Sequence, residues 1–126
     1  MADYDMIDVR EFARAVGTVM DFPANEIVFR EKDAARAMYV VLKGSVEISA
    51  QGKVIESIGE GQALGILSLL DEQPRTSTAR ALEDSELAVL DRKTFRYMVE
   101  EVPNFVWYVM GELAHRLRMT NAALSA

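Results

Sequence analysis

The chain contains no cysteine. Disulfides, thiolate metal sites and a cysteine nucleophile are therefore excluded, and a reducing, cytoplasmic setting is expected. There is one histidine, His115. A metal centre on a cupin-like barrel draws on several histidines and a carboxylate, which a single histidine does not supply. His115 reads instead as a surface or interface residue. Positive charge is also scarce, with 14 Lys and Arg against 20 Asp and Glu, a formal net charge of −6. Direct DNA binding is not expected of such a chain. No apolar run approaches a membrane span, and the acidic start MADYDMIDVR lacks the basic and apolar regions of a signal peptide. No serine sits in a G-x-S-x-G elbow. Ser68, Ser77 and Ser85 read as turn or strand residues. Asp71-Glu72, Glu83-Asp84 and Glu100-Glu101 read as solvated charges at turns and helix ends. No enzyme and no resident cofactor is expected.

Half of the 126 residues are hydrophobic, enough for one packed domain. Met6, Val9, Phe12, Ala13 and Val16 recur at helical spacing, with Asp5 or Asp8 as cap and Gly17 as terminator. Pro23 breaks the chain. The period then shortens: EIVFR, MYVVLKG, SVEISA and KVIESIG are strand-like runs punctuated by glycines, and Ala50-Gln51-Gly52-Lys53 reads as a hairpin tip. TSTARAL and SELAVLD are two more strands, separated by Glu83-Asp84. Helix returns in DRKTFRYMVEEV, capped by Asp91, with Phe95, Met98 and Val99 on one face. Pro103 is expected in the first turn of a last helix. That helix carries a wide apolar stripe of Val106, Val109, Met110, Leu113, Leu117 and Leu124. The stripe is either one broad face on the chain's own core, or one face on the core and another on a partner helix; the second reading makes a homodimer.

These elements make an α+β fold: a β-roll or double-stranded jelly-roll barrel with an N-terminal helix, a short inserted helix and two C-terminal helices. The expected organisation is one domain over residues 1–126, with the N-terminal helix in 1–17, the roll in 18–91 and the C-terminal helices in 92–126.

One segment carries chemistry. In GILSLLDEQPRTSTARA, Gly65 permits close backbone approach, and a helical turn over 66–71 leaves unpaired N–H groups beside it. Such an end attracts anions. Arg75 lies just beyond and offers bidentate bonds to phosphate oxygens, while Thr76 and Ser77 add hydroxyl donors. The alternative is a surface arginine after a turn.

FPANEI, YVVLKGSVEI, GEGQALGILSLLDEQPRTSTARA and the terminal ELAHRLRMTN together resemble the cyclic nucleotide-binding domain family, in order, over nearly all of residues 18–121. The resemblance implies a regulatory module for a cyclic nucleotide, such as cyclic AMP or cyclic GMP, or a related phosphate ligand. It implies that Gly65, Leu67 and Ser68 lie on the phosphate cassette, that Arg75 pairs with the cyclic phosphate and that Thr76 faces it. In the last helix it implies that Arg116 lies near the ligand and that Thr120 and Asn121 reach the base; for these two a fraying C-terminus is the alternative. Ligand binding would then order this helix and change what it presents to an effector protein, whose identity is not encoded here. No helix-turn-helix segment is expected after it, which again argues against DNA binding.

Asn25 and Lys32 stand where the family has glycines. Ile66 stands where it has a glutamate that accepts from the ribose 2′-hydroxyl. Losing such a bond weakens binding by roughly 1.5–3 kcal/mol, or about 10- to 150-fold. A second expectation follows from Ile66: a degenerate domain that no longer binds nucleotide and serves in protein interaction or dimerisation.

Overall fold

The computed structural model describes residues 8–125, so Asp5 and Met6 lie outside the described residues. The elements run α1 (Val9–Val16), β1 (Thr18–Phe22), β2 (Ile27–Phe29), β3 (Ala37–Lys43), β4 (Val46–Ala50), β5 (Lys53–Ile58), β6 (Ala63–Leu64), α2 (Ile66–Asp71), β7 (Thr78–Ala81), β8 (Ser85–Asp91), α3 (Arg92–Glu101) and α4 (Phe105–Ser125). Asp8 caps α1 by accepting from the Arg10 N–H, and Asp91 caps α3 by accepting from the Thr94 N–H at 2.8 Å. The β4–β5 hairpin turns where expected, with Gln51 and Gly52 both at positive φ, 53° and 75°; that pair of left-handed residues matches the twist of the two strands.

The strands form two antiparallel sheets, ordered β1-β8-β3-β6 and β2-β7-β4-β5. The expected barrel is therefore corrected: the fold is α+β, but neither sheet closes on itself or on the other. β6 has two residues and β2 three, too few to extend a ladder around a corner. Pro23, which has no N–H to donate, interrupts the chain between β1 and β2.

β3 and β8 are buried on both faces, which explains their nearly unbroken apolar sequence. On one face Met38, Val40, Ala88 and Leu90 meet Val9, Ala13, Met98, Phe105 and Val109 from the helices. On the other, Val41 and Leu87 meet Val46, Ile48, Ile58, Ala79 and Ala81 across the sandwich.

Three expectations of helix packing are also corrected. Phe12 and Val16 are exposed and only Val9 and Ala13 of α1 face the core; an eight-residue helix on a sheet buries a narrow stripe. Val99 is exposed, leaving Met98 and Phe95 as the inner face of α3. Pro103 lies in the turn before α4 instead of in its first turn. Within α4 the stripe divides: Phe105, Tyr108 and Val109 are buried, whereas Val106, Met110 and Leu117 are exposed.

Candidate functional site

The segment between β6 and β7 is built around Gly65 and Arg75. Gly65 stands at the start of α2 with φ 75° and ψ 16°, a left-handed conformation that glycine adopts without strain. Arg75, only 5% exposed, folds back over it: Nη1 donates to the Gly65 carbonyl at 2.9 Å and Nη2 to the Ala37 carbonyl at 2.7 Å. The guanidinium carbon lies 4.2 Å from the centre of the Phe29 ring and 5.7 Å from that of Tyr39. The Arg75 backbone is pinned as well, its N–H donating to the Asp33 carbonyl and its carbonyl accepting from the Lys32 N–H. Burial lowers the pKa of the guanidinium, and the neighbouring Tyr39 and Asp33 act in the opposite sense. Its Nε is buried and has no hydrogen-bond partner. A buried guanidinium with donors to spare favours an acceptor of negative charge.

The other sequence-derived residues divide around this pair. Ile66 is 4% exposed and belongs to the core between the helices and the sheet, with Leu69, whereas Phe29 and Tyr39 belong to the core between the sheets. Its side chain therefore turns away from the rings that hold Arg75. Leu67 faces outward, and Ser68 is buried, its carbonyl accepting from the Glu72 N–H. Thr76 is exposed and Ser77 half-buried. On α4, Thr120 is half-buried and Asn121 exposed. Arg116 does not join Arg75: its Nη1 lies 2.6 Å from Glu56 Oε2, and its Nη2 donates to Glu112 Oε1 at 3.0 Å and to the Ala63 carbonyl at 2.9 Å. His115 is exposed, with Nε2 3.2 Å from Glu56 Oε1.

Sequence reasoning missed Phe29 and Tyr39, although Tyr39 sits inside the quoted YVVLKG motif. It also missed Glu56 and Glu112. Their one signal was an acidic residue inside an apolar strand and another inside an apolar helix. Among the described residues there is no cluster of three or more His, Cys, Asp or Glu able to hold a metal ion, and no helix is long and apolar enough to cross a membrane.

The fold and this geometry define a class: an antiparallel β-sandwich with an arginine-bearing cassette and a C-terminal helix laid along it. Residues 19–102 match the family model described as the cyclic nucleotide-binding domain. The chain belongs to that family, whose domains are non-catalytic regulatory modules. It is 31% identical over 108 residues to the cyclic AMP receptor protein of Thermus thermophilus, covering 82% of this chain and 50% of that protein. It is also 31% identical over 100 residues to lysophospholipase NTE1 of Chaetomium globosum, covering 75% of this chain and 7% of that protein. The chain thus spans half or less of these relatives. The crystal structure of Thermus thermophilus catabolite activator protein superposes with a TM-score of 0.76 at 27% identity, covering 97% of this chain and 58% of that one.

Proposed function

We propose that this domain is a cytoplasmic sensor that binds a cyclic nucleotide or a related phosphate ligand at the cassette, with Arg75 as the phosphate-holding residue. The observation that carries the reading is the buried guanidinium of Arg75, held against Gly65 with its Nε unpaired. A phosphate oxygen accepts from Nε, and from the Nη hydrogens that the Gly65 and Ala37 carbonyls do not engage. Gly65 allows the close approach, Thr76 and Ser77 follow Arg75 in the chain as hydroxyl donors, and Thr120 and Asn121 lie on the helix that closes the site. A relative named as a cyclic AMP receptor protein supports this ligand class.

Calorimetric titration with cyclic AMP, cyclic GMP and non-cyclic nucleotides tests it. Saturable heat is expected with a cyclic nucleotide, weakened at least about tenfold by Arg75→Lys, which keeps the charge but not the fork. No heat with any of them at millimolar ligand overturns it.

A second reading has its own observation. Ile66 offers no carboxylate and packs into the helix-side core, while both Arg75 Nη groups already donate to backbone carbonyls. On this reading the domain is a dimerisation or interaction module without ligand. The apolar residues Val106, Met110 and Leu117, exposed along α4 at helical spacing, suit a second copy of the helix. Light scattering on wild type and Met110→Glu/Leu117→Glu tests that surface: a dimer that becomes a monomer supports it, and a wild-type monomer overturns it.

A further inference from the structure

A carboxylate sits on the inner face of the sandwich, two residues before the buried Ile58 on β5 and opposite the buried Ile48 on β4. The β4–β5 ladder pairs Ile48 with Glu56 and Ser49 with Val54, which leaves Ile55 as an extra residue. A bulge of this kind sends two successive side chains to the same side. Ile55 and Ile58 join the inter-sheet core, and the Glu56 side chain is 7% exposed.

Its partners, the Arg116 guanidinium and the His115 ring, both come from α4. The grip extends one turn back along the helix. Arg116 Nη2 donates to the Ala63 carbonyl, and Glu112 Oε1 accepts from the Ala63 N–H at 2.7 Å, so α4 holds both polar groups of one β6 peptide residue. Beyond that turn, Met119, Ala123 and Leu124 lie on the inter-sheet core beside Val28 and Tyr39.

We propose that Glu56 is a positioning residue that latches α4 to the sandwich, so that residues 112–125 are docked before any ligand arrives. A ligand held on Arg75 then works against a helix already in place, and does not fold a free one. This rests on the ligand-binding reading only for its consequence; the latch itself is tested without a ligand.

Hydrogen–deuterium exchange on the ligand-free protein tests it without a nucleotide. Wild-type amides in 112–125 are expected to be protected. Glu56→Gln, nearly isosteric, is expected to speed their exchange by about tenfold or more while β3, β4 and β8 keep their protection. Arg116→Gln is expected to give the same regional loss, and the double variant to be no worse than the more affected single, as for two members of one interaction. Unprotected wild-type residues 112–125, unchanged exchange in both single variants, additive losses in the double, or loss spread equally through the strands would each overturn the proposal. Calorimetry with nucleotides, run separately, reports on the binding reading alone.

Discussion

The Arg75 guanidinium rests on Gly65, its Nη1 2.9 Å from the Gly65 carbonyl oxygen. A Cβ built on Gly65 stands 2.6 Å from that nitrogen. The two residues therefore act as a unit: the glycine supplies both the left-handed turn and the room for the arginine. Gly65→Ala is expected to cost about 1–3 kcal/mol through backbone strain and displacement of the guanidinium. It is also expected to weaken phosphate-ligand binding at least about tenfold. Urea unfolding and ligand titration measure the two effects. Wild-type stability in the alanine variant would show that the close approach is not required.

A glutamate at position 66 is not expected to complete a ribose site. Ile66 is packed among the helix-side core residues, and Ile66→Glu places a carboxylate there without a partner. A loss of about 2–4 kcal/mol is expected, read as a lower urea midpoint at neutral pH. A variant as stable as wild type, with a large gain in cyclic nucleotide affinity, would mean that α2 turns this position toward the ligand.

Lys32 and Asn25 occupy left-handed backbone, with φ of 73° and 76°. Glycine adopts this conformation without strain, and the two residues that stand here are not equivalent. Asn25 Oδ1 accepts from Arg80 Nη1 at 2.7 Å, whereas Lys32 lends its backbone N–H to Arg75. Lys32→Gly is expected to stabilise the fold by up to about 1 kcal/mol, strain relief outweighing glycine's extra entropy cost. Asn25→Gly is expected to be neutral or destabilising. Thermal unfolding of both variants checks the contrast, and destabilisation by Lys32→Gly would contradict it.

How far the sequence reached follows from what periodicity encodes. Alternation and helical spacing marked the strands and helices, and local chemistry marked the Asp91 cap and the Gln51-Gly52 turn, because those features depend on neighbours in the chain. The open sheet edges were not legible, since closure depends on pairing between distant strands and β6 is only two residues long. Gly65 and Arg75 were visible as a pair through spacing and family pattern. The direction of Ile66 was not, because it depends on which core α2 packs against. Glu56 escaped because a strand carboxylate reads from the sequence as solvated, and its partner Arg116 lies on α4, far along the chain.

The Asp91 cap gives a test by pH. Its bond from the Thr94 N–H holds the carboxyl pKa below the ordinary aspartate value. A carboxyl whose folded pKa is depressed adds stability that is fully present above the unfolded pKa and is lost as pH falls through the folded one. The group is almost wholly solvated, so the capping effect is small: Asp91→Ala is expected to cost about 1 kcal/mol at pH 7. Asp91→Asn keeps an acceptor that does not titrate, and is expected to lie close to wild type at pH 7. Below pH 3.8 the wild type loses the contribution of its charge and the asparagine variant does not, so their difference in stability moves in favour of asparagine. Urea midpoints measured for both proteins from pH 7 down to pH 3 follow that movement, and a difference constant with pH would mean that the carboxylate charge contributes nothing to the cap.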